Sequence, residues 1–129
     1  MAPPVGRYSH LAEVPAGHRL VFIAGQVGNL PDGTLAGDDA EAQAGQALAN
    51  IEALLAAAGA SPAHLLRLQS FVAGREHLAG LRAALVGAYE RWFPGRATDY
   101  PGHTLLVVAG LAAPEYHVEI EGWFTLPPE

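Results

Sequence analysis

The chain has 129 residues, half of them apolar and only 16% charged, which excludes a disordered acidic chain and fits a single domain over residues 1–129. It has no cysteine and no lysine, so disulfide scaffolds, thiolate metal sites, cysteine nucleophiles and Schiff-base lysines are excluded. The net charge is −6, and the seven arginines are scattered singly, so no basic stripe marks a nucleic-acid partner.

Residues 1–7 lack the basic start and unbroken apolar stretch of a secretory signal. The longest apolar run, residues 105–113, is too short for a bilayer, which needs about 20 residues. A cytoplasmic protein with no membrane partner is the expectation.

In chain order, residues 8–14 read as a short strand, residues 15–18 as a turn and residues 19–26 as a second strand, together a hairpin. Residues 29–33 carry turn chemistry. A helix is expected over 39–58, capped by Asp38 or Asp39, with Glu41 near the positive end of the dipole. Ala44, Leu48, Ile51, Leu55 and Ala58 share one face, and Gly59 ends the helix. Ser61-Pro62 opens one more turn.

Residues 65–73 read as a third strand. Residues 75–92 read as a second helix, with Leu78, Leu81, Leu85, Tyr89 and Trp92 on one face and Pro94-Gly95 at its end. Residues 104–109 form an apolar strand. Residues 116–125 form the last, with Val118, Ile120 and Phe124 on one face and His117, Glu119, Glu121 and Trp123 on the other.

The order is β-β-α-β-α-β-β, an α+β domain. Two helices can cover only one face of a sheet, yet residues 19–26 and 104–109 are apolar on both faces. Another copy of the chain, packed sheet to sheet, is the economical cover.

The chemistry-bearing residues are few. His117, Glu119 and Glu121 lie about 7 Å apart along a strand, a spacing that reads as a polar strand face, and no metal site is expected. Ser9 and His10 are neighbours on a presumed strand and point to opposite faces, so they form no nucleophile–base pair. Ser61 reads as a cap and Ser70 as a strand residue, and no elbow motif supports a serine triad. The glycines match no nucleotide-binding pattern, and no cofactor is expected. Tyr8, His103 and Glu119 remain as polar groups on or beside apolar strands.

Four stretches in this order resemble the RidA family, also called YjgF or L-PSP proteins. They are Gly6-Arg-Tyr-Ser-His10, Leu20-Val-Phe-Ile-Ala-Gly-Gln26, Gln46-Ala-Leu-Ala-Asn-Ile51 and Val118-Glu-Ile-Glu121. The resemblance spans residues 6–124. It implies a chorismate-mutase-like mixed sheet with two helices on one face. It also implies a homotrimer with small-molecule clefts between subunits, and hydrolysis of imines and enamines derived from amino acids. In deaminating relatives a glutamate positions or activates water, and a tyrosine and a backbone position after the second strand shape the pocket. By resemblance these are Glu119, Tyr8 and Gly25.

The departures are as informative. The carboxylate-clamping arginine falls at His103, the serine before the strand glycine at Ala24, the second-helix asparagine at Val86, and the position two beyond the clamp at Leu105. An arginine offers a charged two-donor fork, whereas an imidazole with an ordinary pKa near ~6.5 is mostly neutral at pH 7. Losing such a contact from a buried site costs about 2–5 kcal/mol, a factor of about 30 to several thousand in affinity. The sequence therefore implies a family member with doubtful activity on standard 2-imino acids. Alternatives are a non-catalytic small-ligand-binding trimer and, less favoured by the acidic charge, a ribonuclease or translation inhibitor.

Overall fold

The computed structural model describes residues 1–95 and 99–129, so Arg96 lies outside the described residues. Among the described residues, four strands form one sheet: β1 (Arg19–Gln26), β2 (Leu65–Ala73), β3 (Gly102–Val108) and β4 (Val118–Leu126), in the order β1-β4-β2-β3. β4 runs antiparallel to both β1 and β2, whereas β2 and β3 are parallel. A parallel pair needs a crossover, and helix α2 (Leu78–Trp92) supplies it. Helix α1 (Ala40–Ala57) connects β1 to β2 through a single 3-10 turn at Pro62–His64. Among the described residues, no helix is long and apolar enough to cross a membrane.

α1 begins where Asp39 accepts the Ala42 N–H at 2.8 Å, and it ends before Gly59, whose φ of 80° suits glycine. Its buried stripe is Ala40, Ala44, Ala47, Leu48, Ile51 and Leu55. α2 packs beside it at close range. A Cβ on Gly80 would sit 2.8 Å from the Glu41 backbone nitrogen, so only glycine permits this approach. Leu68 and Val72 of β2 and Val118, Ile120 and Phe124 of β4 complete the core between sheet and helices.

Two expectations need correction. Residues 8–14 form no strand and no hairpin with β1, whose neighbour is β4. The segment is tied near its start, by the Ser9 N–H to the Pro101 carbonyl at 3.2 Å and the Ser9 hydroxyl to the Tyr100 carbonyl. Leu11, Ala12 and Glu13 beyond it stay exposed, so the alternating pattern has no apolar surface to bury. The second helix is also shorter than expected, because Arg75–His77 is a 3-10 turn before α2.

Gln43 is the fully buried polar residue of α1. Its Nε2 donates to the Gly37 and Glu115 carbonyls, each at 3.0 Å, and its Oε1 accepts the His117 N–H at 2.8 Å. This amide pins the loops before α1 and before β4. Gln43→Leu is expected to lower stability by about 2–4 kcal/mol, because the desolvated backbone groups lose their partner. Urea unfolding measures this, and an unchanged midpoint would contradict it.

The sheet face away from the helices is open. Leu20 and Phe22 of β1 are about half exposed, at 50% and 48%, and Leu106 of β3 is 40% exposed. Phe22 lies 4.7 Å from Trp123, ring to ring. Glu119 and Phe71 are register partners on this same face.

Candidate functional site

The structure divides the candidate residues into two groups. Tyr8, Val86, His103 and Leu105 line one cleft of about 600 Å³. It is walled by the segment before Tyr8, by α2 and by β3. α2 contributes Arg82, Val86 and Tyr89 at helical spacing, one face of the helix. β3 contributes His103 and Leu105, which pair with Leu68 and Ser70 and so share the helix-side face of the sheet.

His103 is held by Ser70, its Nε2 lying 2.9 Å from the serine Oγ. Ser70 is wholly buried, so this pair is a structural contact and not a nucleophile open to substrate. Burial, and next to it the charge of Arg67, push the His103 pKa down to about 4. The His103 side chain is therefore neutral at pH 7, and its proton uptake lies well below the ordinary histidine range.

This has a consequence for stability. The folded pKa lies below the unfolded value of 6.5, so the unfolded chain binds the proton first. The stabilising contribution is complete above pH 6.5 and is lost as the pH falls towards 4. Between pH 7 and 5 we expect the native chain to lose about 2 kcal/mol through this group. His103→Gln should remove that part of the slope. Equal pH slopes for the two proteins in urea unfolding would contradict the assignment.

Glu119, Gly25 and Ala24 lie elsewhere. Glu119 sits on the open face of β4, and β1 passes beside it with an irregularity in register between Ile23 and Gln26. A Cβ on Gly25 would fall 2.6 Å from Glu119 Oε2, so the absence of a side chain lets the carboxylate lie against β1. The Ala24 carbonyl accepts the Gln26 side-chain amide at 3.0 Å. β1 and β3 are opposite edges of the sheet, and Glu119 stands on the inner strand β4, about 10 Å from β3 across two strand spacings. Glu119 and His103 also lie on opposite faces. Within one chain the two groups do not meet.

The cleft also contains Arg7, Arg82 and Tyr89, which the sequence reading did not select. Arg82 lies one helical turn before Val86 and Arg7 is adjacent to Tyr8, so proximity to those two positions was the available signal. No carboxylate lines the cleft among the described residues. Likewise, among the described residues no group of three or more side chains could hold a metal ion. His117 stacks on His77, with ring centroids 3.9 Å apart.

A mixed four-stranded sheet, two helices on one face and an open apolar face define an α+β domain of the YjgF/L-PSP fold class. The chain belongs to the endoribonuclease L-PSP family, whose model matches residues 1–124. Its fold is similar to that of the Rid-family protein YyfB from Yersinia pestis, with 32% identity and a TM-score of 0.76 over 97% of this chain and 96% of that one. RidA from an Antarctic Psychrobacter is 29% identical with a TM-score of 0.70, covering 97% and 94%. The YjgF gene product of E. coli is 26% identical with a TM-score of 0.71, covering 95% and 91%. No curated protein matches the sequence.

Proposed function

We propose that the chain is a homotrimeric imine or enamine hydrolase whose site is completed between subunits. The observation that carries this reading is the split of the candidate residues. Glu119, on the inner strand β4 beside Gly25 of edge strand β1, and His103, on the far edge strand β3 beside Tyr8, lie on opposite faces of a sheet whose open side is apolar. A neighbouring copy that covers Leu20, Phe22 and Leu106 and reaches round the β3 edge brings its own Glu119 to the cleft of the first. Sedimentation at micromolar concentration should give the mass of three chains. A monomer would contradict the assembly.

In the completed site, Glu119 takes a proton from water as the oxygen attacks the imine carbon. The C=N π electrons move to nitrogen, giving a tetrahedral carbinolamine. Proton transfer to nitrogen and loss of ammonia then leave the ketone. An enamine enters the same path after tautomerising to the imine. Tyr8 shapes the cleft and offers its hydroxyl to the ligand. The direct test follows ammonia and keto-product release from freshly generated imine; release no faster than in buffer, with any imine offered, would contradict the reading.

A second reading, a trimer that binds a small metabolite without turnover, is favoured by the neutral His103 in place of a fixed cation. An RNA-directed function has less support: net charge is −6 and the arginines form no stripe. The cytosol remains the compartment that suits this chemistry.

A further inference from the structure

We propose that the cleft binds a carboxylate at its rim through Arg7 and Arg82, with a hydrogen-bond acceptor at the ligand's inner end facing Tyr89. The inference rests on the small-ligand reading of this cleft and names the ligand class.

Three observations carry it. First, the charged lining that one chain gives the cleft is of one sign, and the neighbour's Glu119 belongs to the reacting end, away from the rim. Arg7 and Arg82 both face it, and no aspartate or glutamate lines it among the described residues, in a chain with thirteen acidic residues and seven arginines. Among the described residues, neither guanidinium is paired with a carboxylate. Such a site attracts anions by its field as well as by contact. Second, both arginines are exposed, while His103 and Tyr89 lie deeper, so the cations stand at the mouth. The imidazole at the family's clamp position adds no charge to them. Third, Tyr89 is 4% exposed, and its buried hydroxyl has no hydrogen-bond partner among the described residues. A buried donor of this kind is rare unless something else satisfies it.

The spacing sets the length of the ligand. Arg82 and Tyr89 are seven residues apart on α2, about 10 Å along the axis. A ligand that touches both must bridge a gap of that order, longer than the two adjoining groups of a 2-imino acid. Leu85, Val86 and Leu105 between them suit an apolar middle. The class is therefore a carboxylate whose carbonyl or imine lies several carbons away, in contrast to a 2-imino acid, where the two groups adjoin.

Binding of 4-oxopentanoate to the assembled protein tests this, with pentanoate and pentan-2-one as probes lacking one end each. Titration should show 4-oxopentanoate binding most tightly of the three. Arg82→Gln and Arg7→Gln should each weaken it by about tenfold, without weakening pentan-2-one. Tyr89→Phe should weaken 4-oxopentanoate by about fivefold and leave pentanoate unchanged. Since that hydroxyl has no partner among the described residues, the variant should fold normally. Arg19→Gln, which alters a surface pair with Glu129, is the charge control. Equal binding of all three probes, or equal loss in Arg19→Gln and Arg82→Gln, would overturn the proposal. Binding as expected, together with no ammonia release from any freshly generated imine in the separate turnover assay, would overturn the catalytic reading and leave this one standing.

Discussion

Glu119→Gln is expected to lower hydrolysis of an imine by about 10²–10⁴-fold, the usual contribution of a positioned general base. Ligand affinity should hold or improve, because the change removes a negative charge and keeps the shape. Gly25→Ala should act in the same direction by another route. The added methyl group falls within 2.6 Å of the present Glu119 Oε2 position and forces the carboxylate away from β1. Parallel measurement of turnover and of binding separates the two readings of the protein. Loss of turnover alone marks an enzyme. An unchanged rate in Glu119→Gln would remove the glutamate from the mechanism.

His103→Arg is expected to improve the use of 2-iminopropanoate and 2-aminoacrylate by about 30-fold or more. The native chain should process these substrates slowly, because their carboxylate adjoins the reacting carbon and meets an uncharged imidazole. An arginine at this position supplies the fixed charge and the two-donor fork. Val86 and Ala24 offer no polar side chain beside it, so recovery is partial. Acidification does not imitate the substitution: with a pKa of about 4, His103 gains no appreciable charge between pH 8 and 6. An expectation based on an ordinary imidazole would place that gain near pH 6.5. Keto-acid release from freshly generated imine is the measurement. Fast native turnover that survives His103→Ala would show that the clamp lies elsewhere.

The legible parts of the fold were those with a local cause. α1 is read from its cap and its buried stripe, and β2 and β4 from apolar runs of strand length. Residues 8–14 misled because alternation shows that a strand can form and says nothing of a partner; in the structure the partner of β1 is β4, about a hundred residues away. β3 begins two residues earlier than expected, because Gly102 pairs with Arg67 of the parallel neighbour. Gln43 carried no sequence signal, since its three bonds reach loops on either side of the fold.

The site divides in the same way. Tyr8, Gly25 and Glu119 stand in stretches that resemble the family, whereas Arg82 and Tyr89 of α2 join Arg7 and His103 only when the cleft between α2, β3 and the segment before Tyr8 forms. The depression of the His103 pKa likewise arises from packing. The sequence shows a histidine, and the fold decides that it stays neutral.

Mixed assembly tests most directly whether the site is shared between subunits. Glu119→Gln subunits keep an intact cleft, and Val86→Trp subunits, with the cleft filled at an exposed helix position, keep an intact Glu119. Each variant alone should be inactive. When they are refolded together in equal amounts, half the clefts are intact and half of these meet an intact neighbour. About one quarter of native turnover should then return. No recovery in mixed trimers would mean that Glu119 and the cleft act within one chain, and the shared site would be wrong.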